Sequence, residues 1–154
     1  MSQVQIRPAD PGDAPLLADL LDRAFGPYAD LPGLPDMAED LDRDIARGRA
    51  LVADRDGARA GLAVLACHGA TAHLMVLAVD PARGGHGIGS ALVAACETRA
   101  TAAGCRRMDL ATHAGMPDAL RFYTRRGWRV IERTGLKTIL SKPLGPLSTA
   151  DGGA

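Results

Sequence analysis

The sequence predicts an α/β (α+β) chain with elements in the order β-α-α-β-β-β-α-β-α-β-β, and three observations carry that prediction. Short apolar runs rich in Val, Leu and Ile alternate with longer segments whose apolar residues recur at helical spacing. An Asp56-Gly57 pair separates two of the runs, the kind of dipeptide that closes a two-residue hairpin. At mid-chain the apolar run Leu74 to Val79 stops at Asp80-Pro81 and passes through Gly84, Gly85, Gly87 and Gly89. It continues into Ser90-Ala91-Leu92-Val93-Ala94-Ala95, which reads as helix.

Each element has a local reason. Val4 to Arg7 is a short strand that ends at Pro8. Asp10 or Asp13 can cap a helix from about Pro15 to Phe25, with Leu16, Leu17, Leu20, Leu21 and Ala24 expected on one face. Gly26 to Pro35 is a loop rich in proline and glycine, after which Asp36 caps a second helix, about Met37 to Arg47, closed by Gly48. Ala50 to Asp54 and Ala60 to Cys67 are strands around the Asp56-Gly57 turn, and His68 to Thr71 turns into the strand His73 to Val79. The central helix runs to about Ala103 and is stopped by Gly104. Met108 to Thr112 is a strand, and Pro117 suits the first turn of a helix that ends at Gly127. Trp128 to Arg133 and Lys137 to Lys142 form a last hairpin around Gly135. Gly145 to Ala154 is small and polar, an expected disordered tail, which leaves residues 1–144 as one domain without internal repeats.

Composition narrows the function classes. Apolar residues make up 47% of the 154 residues but aromatics only 3%, so Leu, Val, Ile and Ala must fill the core. No apolar run approaches the roughly 18 residues of a membrane span. Met1 to Gln5 lacks the basic and apolar regions of a signal peptide. Cys67, Cys96 and Cys105 form no C-x-x-C pair and read as reduced, small buried hydrophobes, so the expected compartment is the cytoplasm. The net charge of zero hides an asymmetry: residues 1–57 hold 12 acidic and 6 basic side chains, and residues 58–154 hold 6 acidic and 12 basic. The basic half suits an anionic ligand. The acidic stretch holding Asp30, Asp36, Glu39, Asp40, Asp42 and Asp44 reads as solvated helix faces and caps, or as a pocket for a cationic amine. No basic stretch is interleaved with aromatics, which disfavours nucleic acid.

Strand, glycine-rich turn and helix N-terminus make an anion site, because the first amides of a helix have no intrahelical partner and converge on one spot. Glycine lets a pyrophosphate approach the backbone and permits positive φ. A triphosphate-binding loop needs Lys-Ser/Thr after its last glycine, where this chain has Ser90-Ala91. The dinucleotide fingerprint is met by Gly85 and Gly87, but Ser90 holds its third glycine place and the next Asp is Asp109. Both nucleotide readings weaken.

What remains resembles the cofactor motif of the GNAT superfamily of acyl-CoA-dependent N-acyltransferases: a strand ending in V-x-P, then R/Q-x-x-G-x-G/A, then a helix. Val79-Asp80-Pro81 and Gly87-Ile88-Gly89 are in register with it. Gly84 stands at the Arg/Gln place and Arg83 one residue early. Downstream, Asp118 to Trp128 is similar to the superfamily segment N-x-x-A-x-x-[FL]-Y-x-x-x-G-[FW], with Met116 at the Asn place and Phe122-Tyr123 and Gly127-Trp128 matching. Two motifs in the right order are much more specific than either alone, and the resemblance covers roughly residues 3 to 143.

The resemblance implies the GNAT fold, a mixed central sheet of about six to seven strands with helices on both faces. It implies acetyl-CoA as co-substrate and no metal. Expected cofactor-binding residues are Leu77, Ala78 and Val79, through backbone groups, and Arg83, Gly84, Gly85, His86, Gly87, Ile88, Gly89 and Ser90. It makes Tyr123 the acid that protonates the departing thiolate, a role for which a phenol is chemically suited. The strand before the glycines carries no carboxylate, so His73 and His113 are the candidate bases, imidazole titrating near neutrality. His68 and His73 flank one turn but lack a third clear metal ligand. Tyr28, Asp30 and Asp36 fall where the family builds its acceptor site. Arg121, Arg125 and Arg126 read as solvated surface. The expected function is acetyl transfer to a primary amine, a small molecule before a protein amine, by direct attack on the thioester. The alternative is a non-catalytic acyl-CoA-binding module. No nucleic-acid or membrane partner is expected, and a homodimer is left open.

Overall fold

The computed structural model describes residues 3–145, and its elements follow the expected order. They are β1 (Val4–Pro8), α1 (Ala14–Phe25), α2 (Leu41–Ala46), β2 (Ala50–Arg55), β3 (Ala58–His68), β4 (Thr71–Val79), α3 (Ile88–Ala102), β5 (Arg107–His113), α4 (Pro117–Thr124), β6 (Arg129–Thr134) and β7 (Lys137–Pro143). The strands form a seven-stranded mixed sheet in the order β1-β2-β3-β4-β5-β7-β6. β4 and β5 are parallel and pair at Thr71–His73 with Arg107–Asp109, while β1–β2, β2–β3, β5–β7 and β6–β7 are antiparallel. The tail expected from Gly145 onward lies, beyond residue 145, outside the described residues.

The chain forms two compact units. One takes in the chain up to Leu65 together with Val76–Cys96. Its core joins Leu17, Leu20 and Leu21 of α1, Leu41 and Ile45 of α2, and Val52, Leu62, Val64 and Ala78 of the strands. Leu16 does not share that face: it is 51% exposed, because it lies one helical step outside the stripe that Leu17, Leu20, Leu21 and Ala24 describe. The second helix is also shorter than the sequence predicts. Asp36 does cap, accepting from Ala38 N–H at 3.0 Å, but the bonds from Glu39 to Asp36 and from Leu41 to Ala38 span only three residues. The first bond of α-helical span starts at Asp44, to the Asp40 carbonyl. The stretch from Asp36 to Leu41 thus closes as tight turns, and α2 begins only at Leu41, with Asp42 and Asp44 in its first turn, where the helix dipole favours acidic side chains. The β2–β3 hairpin closes as expected, with Asp56 at φ 55° and Gly57 at φ 77°.

The other unit takes in Ala66–Met75 and the chain from Glu97 on. It buries Cys105, Met108, Leu110, Tyr123, Trp128 and Leu140. α3 ends as the sequence predicts: Gly104 at φ 90° lets Cys105 N–H reach back to the Ala100 carbonyl and Gly104 N–H to Thr101. Cys96 and Cys105 are buried, but Cys67 is exposed near the end of β3, correcting the expectation of three buried thiols.

A charged knot secures the start of the first unit. Asp13 is 1% exposed and accepts from Arg7 at 2.8 and 3.0 Å, from Arg59 at 3.0 Å and from Asp10 N–H at 2.9 Å. It therefore spends its carboxylate on two arginines instead of capping α1. The Arg7 guanidinium, foremost, holds the Asp13 carboxyl well below the usual carboxylate range. Stability gained this way is complete above the unfolded pKa, about 3.9, and is lost as pH falls through the lower folded value. Asp13→Asn is expected to cost about 1.5–3 kcal/mol in urea unfolding at pH 7. The difference from the unmodified protein should shrink in increasingly acid solution.

Candidate functional site

The glycine-rich turn is held at both ends and open in the middle. At its start Asp80 donates its N–H to the Ala60 carbonyl at 2.8 Å. Its Oδ1 accepts from Ala82 N–H at 3.0 Å and its carbonyl from Arg83 N–H at 2.9 Å, winding Pro81–Arg83 into one 3-10 turn. Gly84 follows in extended backbone that any residue adopts (φ −68°, ψ 170°), so its glycine is not demanded there. Gly85 (φ 83°) and Gly87 (φ 72°) do require left-handed backbone. A Cβ built on either would meet nothing within 4 Å, so the space above them is open to a ligand.

The helix begins earlier than Ser90. Ala91 N–H makes the first ladder bond, to the Gly87 carbonyl at 3.0 Å, so α3 starts at Ile88. The first amides of the helix, at Ile88 and Gly89, then have no carbonyl one turn back within the helix. Gly84, Gly85, His86 and Gly87 are exposed, whereas Ile88 and Gly89 are buried. His86 thus offers its backbone amide at the rim, with its ring on the exposed side of the turn. The arrangement fits a pyrophosphate: exposed glycine backbone followed by a helix N-terminus. Arg83, partly buried in the 3-10 turn, is the basic side chain beside it.

Two residues outside the motif set its position. Asp80 is only 4% exposed, and Arg23 of α1 pairs with it, Nη2 to Oδ2 at 2.8 Å and Nε to Oδ1 at 3.4 Å. Arg23 is the main cause that holds the Asp80 carboxyl below the ordinary range. Gly61 of β3 is the second. A Cβ there would lie 2.8 Å from both Ile88 Cγ2 and Leu92 Cδ1 and 3.1 Å from the Ala78 carbonyl oxygen. The side chains of Ile88 and Leu92 on α3 therefore rest directly on β3 backbone. Sequence reading missed both; the one signal was a lone glycine inside a strand pattern, which marks close backbone approach.

Of the expected strand contacts, Ala78 is buried in the first unit's core while Leu77 and Val79 are partly exposed. Tyr28 ends the 3-10 turn Gly26–Tyr28 and is partly exposed; Asp30 and Asp36 are exposed, Asp36 being engaged in its own turn.

In the other unit, Tyr123 is 7% exposed on α4. Gly127 at φ 91° ends that helix: Trp128 N–H reaches the Tyr123 carbonyl at 3.2 Å and Gly127 N–H that of Thr124. This termination folds Trp128 back onto Tyr123, ring centroids 5.6 Å apart, and Phe122 lies edge-on to Tyr123 at 5.1 Å. Arg126 is not simple solvated surface, since its guanidinium lies 3.7 Å over the Phe122 ring and donates to the Phe122 carbonyl. Trp128 Nε1 is buried without a partner among the described residues. Met116, at the N-cap of α4, makes no side-chain cap bond.

The two candidate bases lie on neighbouring strands. His113 ends β5, and its Nδ1 accepts from Gly115 N–H at 2.9 Å, so that nitrogen is engaged by the turn that follows the strand. His73 is exposed in the paired segment of β4, its ring 5.8 Å from that of His68. Its register partner on β5 is Asp109. Among the described residues no group of three or more His, Cys, Asp or Glu is placed to hold a metal.

A seven-stranded mixed sheet with helices, in which a strand, a glycine-rich turn and a helix N-terminus form a candidate anion cradle, defines an α/β protein. The chain belongs to the Acetyltransferase (GNAT) family, whose model matches residues 15–128. No curated protein matches it. Its fold is similar to that of the PaiA N-acetyltransferase from Thermoplasma acidophilum, solved in complex with coenzyme A, with a TM-score of 0.82 at 21% identity over 92% of this chain and 99% of that one. An acetyltransferase from Thermus thermophilus has a TM-score of 0.74 at 24% identity, covering 92% and 97%. N-acetylglutamate synthase from Neisseria gonorrhoeae, complexed with coenzyme A and N-acetyl-glutamate, has a TM-score of 0.75 at 23% identity, but the match covers 93% of this chain and 35% of that one. At these identities the likeness is one of fold. Family and fold support a transferase. No helix among the described residues is long and apolar enough to cross a membrane.

Gly61→Ala tests the close approach that positions the cradle. In an ordinary strand this change is neutral or stabilising, but here overpacking should cost about 1–3 kcal/mol in thermal or urea unfolding. The cost should be smaller in a Leu92→Val background, which lacks the Cδ1 that would lie 2.8 Å from the new methyl group.

Proposed function

We propose that this protein is an N-acetyltransferase that moves the acetyl group of acetyl-CoA to a primary amine, a small molecule in preference to a protein amine. The observation that carries the reading is the open turn at Gly85 and Gly87 leading into the N-terminus of α3. Family membership supports it, and so do the neighbours solved with coenzyme A. The family match at residues 15–128 runs through both compact units, which supports residues 1–144 acting as one domain.

The reaction joins the amine nitrogen to the acyl carbon and breaks the carbon–sulfur bond, the thiolate taking up a proton as it leaves. In this reading the amides of Gly85 to Ser90 bind the pyrophosphate, and Arg83 adds positive charge beside it. Backbone groups of Leu77, Ala78 and Val79 engage the pantetheine amides as an added strand would. Tyr123, seated between Phe122 and Trp128, donates the proton to sulfur. Asp30 and Asp36, with Tyr28, attract and orient the cationic amine. His73 and His113 are the candidates to take up the amine proton. The cytoplasm, with its acetyl-CoA supply, is the compartment that suits this activity.

A second reading, a non-catalytic acyl-CoA-binding module, draws on Met116 and Gly84 at polar places of the family motifs. Release of free thiol from acetyl-CoA across a panel of amines separates the two. Saturable turnover excludes the binding module; tight coenzyme A binding without turnover on a broad panel excludes the enzyme. Within the first reading, Tyr123→Phe should lower kcat by about 10²- to 10⁴-fold, the usual worth of a positioned general acid. Coenzyme A affinity by calorimetry should stay nearly unchanged. Wild-type turnover in that variant would remove Tyr123 from the mechanism.

A further inference from the structure

We infer that Arg23, on the solvent side of α1 and outside both family motifs, is a positioning residue for the cofactor cradle and acts through Asp80. The inference rests on the reading of Gly85 to Ser90 as a pyrophosphate site and names the device that keeps it in shape. Asp80 is a buried carboxylate, and a buried charge needs a partner and hydrogen bonds to persist. Arg23 supplies the partner in a two-point contact, Nη2 to Oδ2 at 2.8 Å and Nε to Oδ1 at 3.4 Å, from a residue far away in sequence.

The remaining polar atoms of Asp80 all hold the start of the turn. Its N–H binds the Ala60 carbonyl, its carbonyl receives Arg83 N–H, and Oδ1 receives Ala82 N–H. Oδ1 is thus shared by Arg23 and by the amide that winds the 3-10 turn. Withdrawing the guanidinium leaves a buried carboxylate that must either take up a proton or swing out to water. Either response weakens the bond to Ala82 and loosens Pro81–Arg83, the segment that aims Gly84 and the glycines after it. The amides would then have to be ordered at the expense of ligand binding, which raises Kd without touching the chemical step.

Three features separate this arrangement from an incidental surface pair. Asp80 is nearly inaccessible, so the pair is little screened on its acidic side. Its partner comes from a different element, and the link joins α1 to the residue that terminates β4. Arg23 also lies one turn after Asp19 on the same helix, and the negative charge of Asp19 adds to that of Asp80 in favouring the guanidinium. Arg23 lies just before the Gly26–Tyr28 turn, so the same contact ties the first residues of the expected acceptor loop to the cradle.

The test is a double-mutant cycle on the full chain, with coenzyme A affinity by calorimetry and stability by thermal unfolding. Arg23→Ala should raise Kd about tenfold. Asp80→Asn, which keeps an oxygen for Ala82 N–H, should raise it less. The double variant should be no worse than Arg23→Ala alone, the signature of residues acting as one unit. Arg23→Lys should recover part of the affinity, and in turnover assays the loss should fall on KM for acetyl-CoA rather than on kcat. Additive losses would mean that Arg23 meets the ligand directly as a cation, and would overturn the inference. So would a lower Tm with unchanged Kd, the mark of a purely structural pair. If Arg23→Ala does not fold, Arg23→Lys and Arg23→Gln carry the same comparison. Failure of the unmodified protein to bind coenzyme A would overturn the cradle reading itself and this inference with it. Normal binding that is indifferent to Arg23 would overturn the inference alone.

Discussion

The Ile88 and Leu92 side chains of α3 lie against the backbone of β3 at Gly61, with no room there for even a methyl group. Much of the first unit depends on that contact. It fixes where Ile88 and Leu92 enter the core, and so where the helix N-terminus points its amides. A glycine-rich turn left to itself is entropically costly to order, because glycine has the widest backbone freedom. Here the cost is met by clamping the two ends. Ile88 and Gly89 are packed into protein on one side, and Asp80 is bonded to Ala60 and paired with Arg23 on the other. Only the stretch between stays open, and there Gly85 and Gly87 leave the backbone uncovered.

The second family segment has an equally local cause. Gly127 adopts φ 91° to end α4, and that termination motif brings the residue after it back onto the residue at the third place before the cap. In this chain those residues are Trp128 and Tyr123. The spacing Tyr-x-x-x-Gly-Trp is thus a physical device: the glycine turns the chain and the indole then braces the phenol ring. Phe122 adds a second edge-on contact, and Arg126 covers Phe122 in turn.

Much of this was legible in the chain, and the reasons differ by element. Asp56-Gly57, Gly104 and Gly127 encode their turns through positive φ, a property carried by the residue itself. The α1 stripe was legible from periodicity, although periodicity alone overextended it to Leu16. α2 is shorter than the cap at Asp36 suggests, because Glu39 and Leu41 close three-residue turns before the helix begins at Leu41. His113 is a candidate base by residue type, and the bond that its Nδ1 accepts from Gly115 N–H is one that nothing in the spacing announces.

The sequence by itself determined the order of elements, the glycine turn and the two motifs that mark the family, because each rests on short-range chemistry. A left-handed glycine, a helix cap or an apolar stripe needs only its neighbours. Tertiary structure alone decided which distant residues hold the turn in place. Arg23 and Asp80 are ordinary as letters, one an exposed-looking cation on a helix and the other a residue before proline. Their pairing exists because folding carries a carboxylate out of water and brings the end of α1 to meet it. Gly61 is the same kind of case: its meaning lies in what α3 places against it, and that partner comes from elsewhere in the chain.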